Sequence, residues 1–209
     1  MNQKLSLGEP FIETRYLEAE ESFAVTFPAI LVNPDPQQDI LVNDEFVLEP
    51  LKAIIVRDVT ISVPGKALLI VGFDALRLSD RLTMAALCRV WKSNYQLTGR
   101  PADRTSPYFK SPKETLGNIS INFCLVADPD APSGIHREHA DPTVKELHVQ
   151  IVGEGAVDLM KSQDPSSLYA SLPLATGSTH MATWNPEGAY TWHRYRSVTP
   201  CIFLGVEVH

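Results

Sequence analysis

Five of the six histidines fall between Ser133 and Tyr195, and the sixth ends the chain. The densest stretch reads Gly134-Ile-His136-Arg-Glu-His139-Ala-Asp141-Pro-Thr-Val-Lys-Glu146-Leu-His148-Val-Gln150-Ile-Val-Gly153. Imidazole nitrogens and carboxylate oxygens are the donors that a first-row divalent metal takes, at roughly 2.0–2.2 Å. If Lys145 onward is a strand, alternation sets Glu146, His148, Gln150 and Val152 on one face and Leu147, Val149 and Ile151 on the other. The apolar face then packs on another layer, and the polar face lines a cavity. Burying Glu146 and His148 without partners costs several kcal/mol. A bound cation removes much of that penalty. His139 and Asp141, two residues apart, can point into the same cavity just ahead of this strand. A further ligand is expected from another strand, with His180 in Thr176-Gly177-Ser178-Thr179-His180 as the candidate. His136 reads as a loop histidine and is the alternative to Asp141.

A second group follows the turn-like Asn185-Pro-Glu-Gly188. A strand there places Trp192, Arg194 and Arg196 on one face and His193 and Tyr195 on the other. Facing inward, Arg194 would clamp a substrate carboxylate in bidentate fashion; facing outward, it would pair with Asp or Glu. Gln150 and Tyr195 complete the candidates for substrate contact.

Several segments have the composition of strands that would position these groups: Phe23 to Val32, Ala53 to Val63, Ala67 to Phe73, Asn118 to Ala127, Glu146 to Val152 and Cys201 to Val208. All are rich in Val, Ile, Leu and Phe and bounded by Pro, Gly, Asp or Asn. One helix is predicted, capped by Ser79 with Asp80 at the positive end of its dipole and stopped by Gly99. Leu82, Ala85, Ala86, Arg89, Val90 and Trp91 are its expected packing stripe. The polar, proline-bearing stretch Arg100 to Lys113 is a link between halves or a lid over a pocket.

The histidine-rich region resembles the cupin superfamily. The first cupin motif, G(X)5HXH(X)3-4E(X)6G, is matched by His139-Ala-Asp141, Glu146 and Gly153. Asp141 stands in place of the second His, and Gly134 lies one residue too near His139. The second motif, G(X)5PXG(X)2H(X)3N, keeps Gly177 and His180, with Pro173 two residues early and Asn185 one late. This resemblance implies a mostly β fold: an antiparallel barrel over 115–209, with an N-terminal extension of strands and one helix over 1–114. It also implies His139, Asp141, Glu146 and His180 as ligands of a divalent Fe, Mn, Zn or Ni ion, and a homodimer. Metal-dependent lyases of this superfamily carry a Tyr base two residues after the Glu. His148 stands there and would move a proton on a small, polar, carboxylate-bearing substrate, giving a lyase or isomerase. An Fe(II) ion in the same site would suit a dioxygenase, and a metal-free cavity a non-catalytic binding protein.

The remaining composition narrows the setting. At 209 residues the chain can bury a core without staples, and its net charge of -7 argues against nucleic acid and anionic membranes as partners. Cys88, Cys124 and Cys201 form no CxxC pair, and no apolar run reaches spanning length, so a reduced, cytoplasmic setting is expected.

Overall fold

The computed structural model describes residues 1–137, 144–181 and 191–209. The first half is a seven-stranded antiparallel sheet of β1 (Asn2–Leu5), β2 (Glu13–Val25), β3 (Ala29–Asn33), β4 (Ile40–Val42), β5 (Phe46–Leu48), β6 (Lys52–Val56) and β7 (Val59–Val71). Its long path runs β1-β2-β7-β3-β6, and the β4–β5 hairpin joins it through β7. The expected strand from Phe23 to Val32 is split at Pro28, which has no N–H for a ladder. The segment expected as Ala53 to Val63 breaks at Asp58, which adopts a left-handed φ of 52°. Beyond that break, β7 continues unbroken to Val71.

The connecting region carries α1 (Arg81–Val90), β8 (Lys92–Ser93), α2 (Asn94–Thr98) and a 3-10 turn (Pro101–Thr105). The cap of α1 is Asp80, whose carboxylate accepts from the backbone N–H groups of Leu82 and Thr83. Ser79 therefore lies outside the helix. Gly99, in the left-handed region at φ 68°, closes α2 rather than α1. The packing stripe is also displaced. Leu87 and Trp91 are buried, and Met84 and Cys88 pack beside them, whereas Leu82 and Val90 are exposed. Positions 84, 87, 88 and 91 obey the helical spacing that a single buried face requires.

The remaining strands are β9 (Tyr108–Lys110), β10 (Glu114–Leu116), β11 (Ile119–Val126), β12 (Lys145–Val152), β13 (Gly155–Met160), β14 (Leu168–Leu174), β15 (Thr179–Met181), β16 (Trp192–Ser197) and β17 (Cys201–Val208). One sheet has the order β15-β12-β17-β11-β9-β8, and the other β14-β13-β16. Bridges Pro132↔Arg196 and His136↔His193 lay the segment 132–136 antiparallel along β16. From β11 onward the chain thus moves back and forth between two facing antiparallel sheets. This is a two-sheet antiparallel β-barrel, the architecture that the cupin resemblance implied.

Alternation along β11, β12 and β17 divides the larger sheet cleanly. Phe123, Leu125, Leu147, Val149, Ile151, Ile202 and Leu204 share a core with Ile30, Val32, Leu68 and Ile70 of the N-terminal sheet. Each such aliphatic side chain, fully removed from water, contributes about 1.5–3 kcal/mol. The apolar face of β12 is thus sealed by a second layer, which leaves its other face for the barrel interior. There, Cys124, Val126, Val157, Leu159, Tyr195 and Phe203 form a separate inner core. Among the described residues, no helix is long and apolar enough to cross a membrane.

Candidate metal centre

Above that inner core, β12 delivers Glu146 and His148 to a cavity of about 220 Å³ between the sheets. His148 is buried, and its Nε2 lies 3.2 Å from Glu146 Oε1. A carboxylate only accepts, so His148 directs an N–H at Glu146 and orients it. The His148 ring stands edge-on to Phe203, with centroids 5.2 Å apart. Across the cavity, the 132–136 segment and β16 exchange both backbone hydrogen bonds at His136 and His193. Their rings are 4.4 Å apart. One ligand atom from each of His136, Glu146 and His193 falls within 4.8 Å of the others.

The tautomers of the two imidazoles follow from their backbone contacts. His136 Nδ1 is 3.1 Å from the Gly134 carbonyl, and His193 Nδ1 is 2.8 Å from that of Thr191. Carbonyl oxygens accept, so each Nδ1 carries the proton and each Nε2 carries the lone pair. Burial is the main cause that lowers the His193 pKa to about 4, which keeps the ring neutral at ordinary pH. Two imidazoles and a carboxylate within mutual reach are a donor set that a first-row divalent ion fits.

The ligand set expected from sequence is only partly met in this geometry. His139 and Asp141 lie outside the described residues, as does Asn185. Glu146 is in the cluster. His180 is not: it sits on β15, directly opposite His148 in the antiparallel register. Both of its ring nitrogens are buried without a hydrogen-bond partner among the described residues. Burial, then the neighbouring His148 and His193, lower its pKa to about 4. The cluster instead takes its second-strand histidine from β16. Alternation had already put His193 and Tyr195 on one face of that strand. His136 joins because its segment pairs with β16, a long-range contact that local sequence does not reveal.

Tyr195 closes the floor of the cavity. Its hydroxyl donates to Gln150 Oε1 at 2.9 Å and contacts Cys201 Sγ at 3.0 Å. Burial raises its pKa strongly, so the phenol keeps its proton. A Cβ on Gly155 would overlap the Tyr195 hydroxyl, so the close approach requires glycine there. Gln150 is fully buried and anchored to the Val152 and Gly153 carbonyls. It holds Tyr195 rather than facing the cavity. Arg194 lies on the opposite face of β16 from His193 and Tyr195. Its Nε donates to Asp158 Oδ2 at 3.1 Å, beside Arg196 at 3.2 Å, while Ser171 donates to Asp158 Oδ1. This is the carboxylate pairing of an outward-facing arginine, on the far side of the sheet from the cavity.

No protein-family model matches the chain, and no curated protein matches it in sequence. Solved structures do. An RmlC-like cupin protein from Desulfovibrio desulfuricans is 18% identical over 56% of this chain and 95% of its own, with a TM-score of 0.37. KdgF from Halomonas sp. is 12% identical over 51% of this chain and 83% of its own, with a TM-score of 0.38. Ectoine synthase from P. lautus is 15% identical over 50% and 65%, with a TM-score of 0.35.

Proposed function

We propose that this protein is a metal-dependent cupin enzyme of the lyase or isomerase type, acting on a small, polar, carboxylate-bearing molecule. The observation that carries this reading is the convergence of His136, Glu146 and His193 beside a cavity that also presents His148. His136 and His193, through Nε2, and Glu146, through its carboxylate, would hold the ion. A divalent ion bound there supplies Lewis-acid polarisation of a substrate oxygen.

The other groups on the cavity wall narrow the proton carrier. Tyr108 donates to the Ala131 carbonyl, and burial raises its pKa; Tyr195 is committed to Gln150 in the same way. Burial also pushes the Cys124 thiol up to about 11. Glu207 is paired with Lys113. His148 therefore remains as the lining group that would take and return the proton. Lys110, with Asn94 and Asn122, provides a cation and amides for a substrate carboxylate.

The test is elemental analysis of protein purified without an affinity tag. A stoichiometric Fe, Mn, Ni or Zn in the natural protein, lost in Glu146→Gln and in His193→Ala, is the expected result. A natural protein that holds no metal and takes none up on reconstitution would sink the reading and favour a non-catalytic binding cupin.

A further inference from the structure

Next to the histidine-lined cavity lies a second chamber of about 390 Å³, which shares Lys110, Asn122 and Glu207 with it. Its outer wall is built by the connecting region: Val90 at the end of α1, Lys92 on β8 and Leu97 on α2. β8 pairs antiparallel with β9, and in that register Lys92 stands directly opposite Lys110. Side chains so placed are nearest neighbours, and like charges directly opposite one another repel. The repulsion stands out in a chain with 25 acidic against 18 basic residues. Neither lysine has a carboxylate within ion-pairing distance among the described residues, whereas the nearby Lys113 is matched by Glu207. The same chamber is lined by Val90 and Leu97, both about half exposed.

We propose that this chamber binds an anionic group carried on a short apolar chain. The anion sits between Lys92 and Lys110, and the chain lies along Val90 and Leu97. An anion there turns the repulsion of two facing ammonium groups into two charge-assisted hydrogen bonds. Its apolar stem covers side chains that water now touches. Resting on the proposed function, the chamber extends the substrate. The reacting end would lie at His136, Glu146, His148 and His193, and the anionic end would lie beyond Lys110.

Calorimetric titration with octanoate and with the uncharged 1-octanol tests this, in the natural protein, in Lys92→Gln and in Glu146→Gln. Octanoate is expected to bind, to weaken roughly tenfold in Lys92→Gln, and to weaken with added salt. Octanol should not distinguish Lys92→Gln from the natural protein. Lysines at a sheet edge can instead serve only to block strand pairing. In that case Lys92→Gln would alter solubility and leave octanoate affinity unchanged, and the proposal would fall. Octanoate affinity that survives in Glu146→Gln places the probe in the chamber; affinity lost together with the metal would place it on the ion and overturn the proposal. Metal content, measured on the same samples, reports on the proposed function separately.

Discussion

Two of the barrel's acidic groups, Asp158 and Glu146, lie on opposite sides of its smaller sheet and meet different partners. On the outer side, Asp158 is fully buried yet met by Arg194, Arg196 and Ser171. Burial alone would raise its pKa, but the hydrogen bonds from Arg196, Ser171 and Arg194 outweigh it and hold the carboxyl below its usual range. On the inner side, Glu146 is met by His136 and by His193, whose ring burial keeps neutral. The outer group supplies its own countercharge and needs nothing more. The inner group instead lies beside two histidines, with one ligand atom of each within 4.8 Å of its own.

Substitutions on each side sharpen that contrast. The largest expected effect is on the inner side: Glu146→Gln should abolish stoichiometric metal in elemental analysis while circular dichroism stays that of the folded barrel. Metal retained at the natural level would erase the difference between the two groups.

Acid should act next most strongly, through His180. Its folded-state pKa of about 4 lies below the ordinary 6.5, so between those values the unfolded chain binds the extra proton. Stability therefore falls as pH drops from 6.5 towards 4, by on the order of 3 kcal/mol from this residue. Urea melts of chelator-treated protein across that range should show the slope, and His180→Gln should flatten it.

On the outer side, Asp158→Asn should cost roughly 1–3 kcal/mol in urea melts with metal content unchanged. The loss sits at the modest end because Arg194 and Arg196 keep some contact with water. Metal lost along with stability would show that the two sides are coupled. The smallest effect belongs to Tyr195→Phe, which removes the hydrogen bond to Gln150 under the cavity and should cost about 0.5–1.5 kcal/mol. Because Tyr195 contributes to neither charged group, metal content should not change.

The two faces of β12 were legible before any coordinates, because strand alternation sorts Leu147, Val149 and Ile151 from Glu146, His148 and Gln150 without further information. The same rule separated His193 and Tyr195 from Arg194. The helix was legible in existence but not in register. Several faces of α1 offer apolar residues, and only the position of the barrel selects Met84, Leu87, Cys88 and Trp91. His180, singled out by its GxxH spacing, lies on β15 opposite His148, and local spacing does not tell which strands meet at Glu146.

The sequence by itself determined which side chains each strand shows to each side, because that follows from a two-residue period in the covalent chain. Only the tertiary structure decided which strands face one another. His136 and His193 meet through a pairing across 57 residues, and Lys92 meets Lys110 through a strand of two residues. Such contacts depend on how whole sheets pack, and packing is settled by the combined burial of the core rather than by any local run of residues.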